Sequence, residues 1–396
     1  AGCPHRSLGR PPHARGCGMN PRFAAAVASG DPGDLAGRVL AGLPEIEGAN
    51  LGIVYASEAA APVLSGLVAA LGRARGIGAW VGGVGLGVLG MSAEVMDEPA
   101  VAVMIAALPP DGFRVFAETA DPAADLPRRH AKWIAAKEPV LALVHADPRC
   151  RDLVAATTKL AAASGAYLVG GLVSHRWPSP LVAQSTGLAA PAGAGGSGIA
   201  GVMLAPEIAV ATALTQGCSP IGPMRRIDEA RDNIAMTIDG RPALAVFCED
   251  IGPELARDLR RAGGVIFAGL PVAGSDTGDY LVRNLMAIDP GRGWLVLGEE
   301  VRSGDPILFC RRDPETARHD MARMIRQLQG RLTGTPKAAV YVGCVARGVN
   351  LFGEEGVETG LLREAFGDVP LIGFFANGEI SRDRLYGHTG VLTVFL

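Results

Sequence analysis

Short apolar runs alternate with helical stretches along the chain, and the same order recurs three times. The first copy opens with "NLGIVYAS" (50–57), continues through a helical stretch and the glycine-rich segment "WVGGVGLGVLG" (80–90), and closes with "AVAVMIAAL" (100–108). Apolar runs of this length, bounded by turn residues, are typical of buried strands. The unit therefore predicts a strand, a helix, a strand with a glycine turn, and a last strand.

Two further copies follow the same plan. The second consists of "PVLALVHAD" (139–147), a helical stretch, "AYLVGGLVSH" (166–175) and "GIAGVMLA" (198–205); the third consists of "KAAVYVGCVARG", "GVETGLLREAFG", "VPLIGFFANGEI" and "TGVLTVFL". A strand, a helix and a strand at this spacing favour a right-handed crossover between parallel neighbours, and the last run can pair antiparallel. The predicted fold class is α/β (mixed α+β): two related domains with mixed sheets flanked by helices.

The chain has 396 residues, which is too long for one small core and predicts two domains. We predict a disordered or non-native tail and lead-in over 1–44, an N-terminal domain over 45–220 and a C-terminal domain over 221–396, with the boundary in "QGCSPIGPMRR" (216–226). The first eighteen residues lack the apolar core of a signal peptide, and Met19 is the predicted natural start.

The segment between the second and third copies predicts mostly strands. A strand with a turn at Asp239-Gly240 precedes a helical segment led by Pro242, a helix around 252–262 and three further strands. A helix then begins with "DPETARHDMARMIRQLQGRL", where Asp313 is the predicted N-cap before a proline in the first helical position.

Composition excludes several classes of protein. The net charge of −3 and the aromatic content of 5% give neither a basic surface nor a stacking platform for nucleic acid. No apolar stretch is long enough to predict a membrane span. The chain has seven cysteines, an odd number, and no C-x-x-C motif. We therefore expect no disulfide framework and predict that the protein is located in the reducing cytoplasm.

We expect neither a metal nor a cofactor. The tail residues Cys3, His5, His13 and Cys17 do not have the spacing of a zinc motif. The run "GGVGLGVLG" (82–90) lacks the third glycine and the directly following helix of a dinucleotide site.

The first turn of interest is "GCVARG", which follows the apolar run "AAVYV". Cys344 has three possible roles, namely a nucleophile with His388 as its base, a ligand contact, or a buried structural thiol. Arg347, followed by Gly348, can hold a carboxylate or phosphate through two parallel hydrogen bonds. Its alternative is a salt bridge to Glu354, Glu355 or Glu379.

The second turn of interest is "NGEI". Glu379 can accept a ligand's amino group or pair with Arg347, while Asn377 supplies donors and an acceptor or tolerates a left-handed turn before Gly378. His388 and Thr389 precede the last strand and offer further polar contacts, although a lone histidine is often structural. Ligands of open α/β sheets bind beyond strand ends, so we expect these turns to form one site.

Counterparts of these turns are expected in the second copy. The counterpart of Asn377-Gly378-Glu379 falls near Ser174-His175, and that of His388-Thr389 is Gly196-Ser197. Cys218, at the predicted domain boundary, is expected to be a thiol that lines a turn.

Four motifs resemble the FIST family, which takes its name from F-box and intracellular signal-transduction proteins. They are "LTQGCSPIG", "DYLVRNLMAID…GWLVLGEEVRSGDPILFCRRD", "GCVARG" and "GFFANGEI…HTGVLTVF", and the resemblance covers roughly residues 45–396. It implies a sensory module that recognises small molecules such as amino acids. We expect a free-standing protein, whose signalling output would need a separate partner protein.

Together the residues and the resemblance predict a cytoplasmic protein that binds a small anionic or zwitterionic metabolite. The predicted lining is Cys344, Arg347, Gly348, Asn377, Gly378, Glu379, His388 and Thr389. One alternative is an enzyme of hydrolase or transferase type that uses Cys344, His388 and Glu379. Another is a scaffold that recruits proteins through an exposed apolar patch.

Overall fold

The computed structural model describes residues 22–91, 93–174, 176, 181–185, 198–272 and 280–396. Within these ranges the chain is mixed α/β, with sheets flanked by helices as predicted. The tail residues Cys3, His5, His13 and Cys17 lie outside the described residues, as do His175 and Gly196-Ser197.

The first repeat begins before the segment in which the apolar pattern starts. Residues 22–42, which we assigned to the lead-in, form a strand of the first sheet and a helix that follows it. Its elements are β1 (Arg22–Ser29), α1 (Leu35–Gly42), β2 (Leu51–Ala56), a 3-10 helix (Glu58–Val63), α2 (Leu64–Arg75), β3 (Ala79–Val84), β4 (Gly87–Gly90), β5 (Ala93–Val95) and β6 (Ala100–Ala107).

The second repeat has a similar succession of elements. They are β7 (Phe113–Thr119), α3 (Pro122–Lys137), β8 (Leu141–Ala146), α4 (Leu153–Ser164), β9 (Tyr167–Leu172), β10 (Leu181–Gln184) and β11 (Ile199–Leu204). The described residues of this repeat include no 3-10 helix and only one strand between β9 and its last strand.

The third repeat opens with β12 (Val210–Gln216) and is then interrupted by an inserted sheet. The insertion contains β13 (Cys218–Pro220), β14 (Arg225–Arg231), β15 (Ile234–Ile238), β16 (Arg241–Pro242), α5 (Ala243–Ala256), a 3-10 helix (Leu259–Ala262), β17 (Ile266–Pro271), β18 (Tyr280–Arg283), β19 (Leu285–Asp289), β20 (Trp294–Leu297) and β21 (Pro306–Arg312). The repeat resumes with α6 (Pro314–Gln329), β22 (Ala338–Cys344), α7 (Val349–Phe352), α8 (Val357–Phe366), β23 (Leu371–Ala376), β24 (Glu379–Arg382), β25 (Arg384–Tyr386) and β26 (Thr389–Phe395).

Each repeat builds a sheet around a parallel pair of strands, as the sequence predicts. The pairs are β2 with β3, β8 with β9, and β22 with β23. The last strand of each repeat, β6, β11 or β26, pairs antiparallel with the first strand of its pair. The opening strands β1, β7 and β12 then pair with those last strands.

The three sheets exchange strands in a cycle. Strand β4 of the first repeat pairs with β23 of the third, β24 of the third pairs with β9 of the second, and β10 of the second pairs with β3 of the first. Side chains from all three sheets, including Ile53, Leu143 and Val342, form one shared apolar core. The helices pack on the outer faces of the three sheets, opposite the shared core.

One glycine in each parallel pair allows close approach of the two strands. A Cβ atom at Gly82, Gly170 or Gly373 would lie 1.8 Å from a main-chain carbonyl oxygen of the neighbouring strand. The glycines in these runs are therefore packing positions. The run at 82–90 leads from β3 into β4 rather than into a helix, so it lacks the structure of a dinucleotide site.

The inserted segment forms a nine-stranded antiparallel sheet with its own core around Phe247 and Phe309. We expected one strand before the turn at Asp239-Gly240, but the structure has two, because a second turn at Asp232 (φ 54°) folds the segment into a hairpin. The turn at Asp239-Gly240 is present, with φ values of 48° and 71°.

Two helix starts follow the predictions. Helix α5 begins directly after Pro242, as predicted. A kink at Gly252 divides this helix at the position where we expected the next helix, around 252–262, to begin. Asp313 caps α6, since its side chain accepts a hydrogen bond from the N–H of Thr316. Within the described residues, no helix is long and apolar enough to cross a membrane.

Candidate functional site

The predicted polar residues meet at the carboxyl end of the parallel pair in the third repeat. Cys344 is the last residue of β22, Glu379 begins the exchanged strand β24, and Thr389 begins β26. The two turns thus converge because β22 and β23 run in the same direction and end at the same edge. Cys344, Arg347, Glu379, His388 and Thr389 form one polar cluster there.

Glu379 lies at the centre of this cluster with 0% of its surface exposed. Its Oε2 atom accepts hydrogen bonds from the main-chain N–H of Thr389 (3.1 Å) and from the Thr389 hydroxyl (2.7 Å). The Cys344 thiol lies beside the same carboxyl group. The other carboxyl oxygen of Glu379, Oε1, is buried and has no nitrogen or oxygen donor in the part of the chain that the structure describes.

Burial controls the protonation of Glu379 and Cys344. Burial raises the pKa of Glu379 to about 8, against the opposing effect of the Thr389 hydrogen bonds, so the side chain holds its proton at neutral pH. Burial also raises the pKa of the Cys344 thiol, and the neighbouring Glu379 carboxyl raises it further. Cys344 is 5% exposed and stays a neutral thiol in this arrangement.

Arg347 is paired inside the protein and is not open to solvent. It is 1% exposed, and its Nε donates a hydrogen bond to Oε1 of Glu358 at 2.7 Å while Nη2 lies 2.6 Å from the same oxygen. Glu354, Glu355 and Glu379, which we considered as partners, do not form this ion pair. Arg347 thus forms a buried salt bridge, but with Glu358 and not with any of the three predicted partners.

The Arg347–Glu358 pair belongs to a larger buried network. Glu358 also accepts hydrogen bonds from the Tyr341 hydroxyl (2.6 Å) and from the N–H of Gly348 (3.3 Å). Burial acts to lower the pKa of Arg347, but the Glu358 carboxylate outweighs it and the pKa is raised. Arg347 therefore stays charged and holds the turn after β22 in place.

The network reaches the first repeat through the exchanged strands. Thr359, the residue after Glu358, donates to Oε1 of Glu94 at 3.2 Å, and Glu94 lies on β5. Burial, together with the charge of Glu358, raises the pKa of Glu94. No motif in the sequence predicts a role for Tyr341, Glu358 or Glu94 in this cluster. A glutamate in the first turn of a helix ordinarily interacts with the helix N-terminus, so its spacing from Arg347 carries no distinctive signal.

His388 occupies a strained turn between the cluster and the inserted sheet. Its φ of 61° lies in the left-handed region, and its ring packs against Phe267 with the centroids 4.3 Å apart. Its carbonyl oxygen accepts hydrogen bonds from the N–H of Gly217 (2.9 Å) and from Nη1 of Arg347 (3.5 Å). The ring Nδ1 is buried without a hydrogen-bond partner among the described residues.

The imidazole of His388 is neutral at neutral pH. Burial lowers its pKa to about 4, and the positive charges of Arg312, Arg347 and Arg283 act in the same direction. Arg312, at the end of β21, donates to the carbonyl oxygens of Ala346 (2.5 Å) and Asn350 (2.6 Å). The inserted sheet thereby fixes the turn that carries Arg347.

The structure separates Asn377 from the other predicted residues. Its side chain is exposed, and it is not one of the residues with a left-handed backbone, so that explanation of the asparagine was wrong. Gly378 is the strained position, with φ 139°, and a Cβ there would approach Leu172. In the second repeat, the hydroxyl of Ser174 is hydrogen-bonded to Glu58.

Cys218 lies on β13 in a small apolar cluster that also contains Cys310 and Tyr280. Both cysteines are free and buried. Within the described ranges, no group of three or more His, Cys, Asp or Glu side chains could hold a metal ion.

Comparison with known proteins gives two family matches that together cover most of the chain. Residues 50–241 match the FIST N domain and residues 243–382 match the FIST C domain. A Mycobacterium tuberculosis protein described as uncharacterized is 29% identical over 333 residues, which cover 80% of this chain and 84% of the relative. A Mycobacterium bovis protein described in the same way is 30% identical over 210 residues, which cover 50% of this chain and 54% of that protein.

Proposed function

Because the chain belongs to the FIST family, whose domains are associated with signal transduction and small-ligand sensing, we propose that it binds a small zwitterionic metabolite, such as an amino acid, beside Glu379 and His388. The ligand lies at the carboxyl end of the β22–β23 pair, where the inserted sheet meets the third repeat. A separate signalling protein would then read the bound state.

The observation that carries this proposal is a set of unsatisfied polar atoms in one cluster, where Nη2 of Arg347 also lacks a hydrogen-bond partner among the described residues despite its ion pair with Glu358. Oε1 of Glu379 and Nδ1 of His388 are both buried without a hydrogen-bond partner among the described residues. A buried polar group without a partner costs about 1–3 kcal/mol, and structures rarely retain such groups without a reason. A ligand that hydrogen-bonds to both atoms recovers that cost on binding.

The chemistry of the two groups suggests which end of the ligand each one meets. A ligand ammonium group beside Glu379 favours the ionised carboxylate and so draws the proton from it. Arg312, close to His388 and bonded to main-chain carbonyls through Nη2, favours a carboxylate on the other side. Arg347 supports the turn through its pair with Glu358, so the carboxylate role that we first gave it passes to Arg312.

The alternative of a cysteine-dependent enzyme has less support. A nucleophilic cysteine needs its thiolate, which is favoured by nearby cations and partial exposure. Cys344 is buried beside a carboxyl group that raises its pKa, and the candidate base His388 has a lowered pKa. The geometry therefore favours Cys344 as a contact to Glu379.

Thermal unfolding in the presence of each of the twenty amino acids tests the proposal. A ligand at a hundred times its dissociation constant should stabilise the protein by about 2.7 kcal/mol. Glu379→Gln should weaken binding by about ten- to a hundredfold, because a hydrogen bond to a charged group contributes about 1.5–3 kcal/mol. Glu364→Gln, an exposed carboxylate on α8, is the matched control and should bind as the wild type does.

Two results would count against a ligand site here. The first is that no amino acid stabilises the wild-type protein at millimolar concentration. The second is that an amino acid stabilises the wild type and Glu379→Gln by the same amount, which would locate its binding elsewhere.

A further inference from the structure

A groove of about 1110 Å³ runs along strand β1, apart from the site described above. One wall is formed by residues 22–27 of β1 and residues 44–47 that follow α1. The other wall includes Met91, Lys337, Arg363 and residues 368–371, which lead into β23. The groove therefore lies between the open edge of the first sheet and the third sheet.

The edge of β1 presents main-chain groups to this groove. Strand β1 pairs on one side with β6, and Gly30 donates to the carbonyl oxygen of Pro99 in the same register. In an antiparallel pair, alternate residues bond to the partner strand. Residues 22, 24, 26 and 28 thus bond to β6, while the N–H and C=O groups of Phe23, Ala25 and Val27 point away from it.

Two observations support this assignment of the edge. The carbonyl oxygen of Ser29, next in the outward series, accepts a hydrogen bond from Nη1 of Arg38 at 3.0 Å. Among the described residues, none is hydrogen-bonded to the main chain of Phe23, Ala25 or Val27 on the outward side. Within the described residues, these three therefore form a row of donors and acceptors at strand spacing that have no partner.

The equivalent edge in the third repeat is covered, which makes the contrast informative. On β12, the outward N–H of Gln216 donates to Asp320 at 2.7 Å, and the outward carbonyl of Thr212 accepts from Arg331 at 3.4 Å. Asp320 is on α6, and Arg331 lies two residues beyond the end of that helix. Among the described residues, helix α1 donates a single hydrogen bond to the outward main chain of β1, from Arg38 at the far end of the strand. An uncovered edge is normally a liability that proteins blunt.

We propose that the edge of β1 binds an extended segment of a partner protein, which adds to the first sheet as a sixth strand and lies in this groove. The main chain of Phe23, Ala25 and Val27 provides the affinity, and the walls of the groove select the side chains. This surface is separate from the proposed ligand site and does not depend on it.

The shape of the groove favours a single extended segment over a second copy of the chain. The edge of β1 belongs to one wall of the groove and faces the other wall, so the β1 edges of two copies could not meet directly. Val27, which lines the groove, packs closely against Gly90, where a Cβ would lie 2.3 Å from Cγ2 of Val27, so little room remains beside this residue. The segment should therefore carry small apolar side chains at alternate positions.

Charge in the groove adds one more feature to the partner. Glu45 is paired with Arg75 at 2.9 Å, and Asp368 lies 3.8 Å from Arg363. The guanidinium of Arg22 meets the main-chain carbonyl of Glu47 at 2.5 Å, and no described carboxylate pairs with it. An acidic residue at the end of the segment beside Arg22 would complete this wall.

The probe is a displayed library of random octapeptides selected on the wild-type protein, with the recovered peptides labelled for fluorescence anisotropy. Ala25→Pro removes one outward N–H and leaves the bonds to β6 intact, a position at which edge strands tolerate proline. Val210→Pro makes the same change at an outward position of β12 and is the matched control. Ala25→Pro should weaken peptide binding at least tenfold, and Val210→Pro should change it less than twofold.

Amide hydrogen exchange on the wild-type protein supplies a second readout that needs no variant. Bound peptide should slow exchange at the amides of Phe23, Ala25 and Val27. The proposal is overturned if no peptide is recovered, if Ala25→Pro binds peptides as the wild type does, or if these amides are not protected. It is also overturned if sedimentation shows that the wild type forms a dimer that Ala25→Pro dissolves, since the occupant would then be a second copy.

Discussion

The buried pair of Arg347 and Glu358 gives a sharp prediction about stability. Replacing Glu358 by Gln keeps the shape of the side chain but removes the charge opposite an arginine that is 1% exposed. The change also weakens the hydrogen bonds from the Arg347 Nε (2.7 Å) and the Tyr341 hydroxyl (2.6 Å). Removing one partner of a buried pair typically costs about 3–5 kcal/mol, because the other charge stays buried and unpaired.

Urea unfolding followed by circular dichroism measures this cost. We expect Glu358→Gln to lower the free energy of unfolding by about 3 kcal/mol or more. The double variant Arg347→Met with Glu358→Gln removes both charges and should recover part of the loss. Glu354→Gln, which breaks the exposed pair with Arg318, is the control and should cost less than about 1 kcal/mol.

The reasoning about this pair would be refuted by either of two results. A cost below about 1 kcal/mol for Glu358→Gln would mean that Arg347 is solvated or finds another partner. The second result is a double variant whose loss in free energy of unfolding exceeds the sum of the losses in Arg347→Met and Glu358→Gln. It would mean that the pair does not act as one unit.

Three further predictions concern protonation, packing and reactivity. In the folded protein the pKa of Glu379 is raised to about 8 from its ordinary value of 4.5. The stability that Glu379 contributes is therefore fully present below pH 4.5 and is lost as the pH rises through about 8. In urea unfolding, the free energy of unfolding should fall by up to about 1.4 kcal/mol per pH unit in this range, and Glu379→Gln should remove this dependence. Gly170→Ala places a Cβ 1.8 Å from the Val144 carbonyl oxygen and should prevent stable folding, whereas Gly66→Ala on α2 meets no atom within 4 Å and should raise the melting temperature. The buried thiol of Cys344 should react with a thiol reagent only as fast as the protein opens, more slowly than the partly exposed Cys248; immediate stoichiometric labelling at pH 7, located by mass spectrometry, would contradict its neutral, buried state.

Much of the local structure could be predicted from apolar pattern and turn residues. The parallel pairs follow from apolar runs separated by a helix, and Asp313 with Pro314 marks the start of α6. The exchange of β4, β10 and β24 between sheets could not be predicted in this way. An apolar run shows that a strand is buried, but its pattern does not identify which distant strand it pairs with.

The residues of the candidate site also fall into two groups, those that could be predicted from the sequence and those that could not. Cys344, Glu379 and Thr389 could be identified because they sit at strand ends next to glycine turns, and the structure brings them together. Glu358 and Glu94 could not, because their contact with the cluster depends on a helix terminus and an exchanged strand. The predicted domain boundary near 216–226 and the binding roles of the site residues stay predictions.

The most direct test of the proposed ligand site is the titration of Glu379 itself. Carbon-13 NMR of protein labelled at the glutamate side-chain carboxyl follows this one resonance, assigned with Glu379→Gln. The carboxyl should titrate with a pKa of about 8 in the free protein, and the pKa should fall when the most stabilising amino acid binds. A pKa near 4.5 in the free protein, or one that does not change with ligand, would contradict the proposed site.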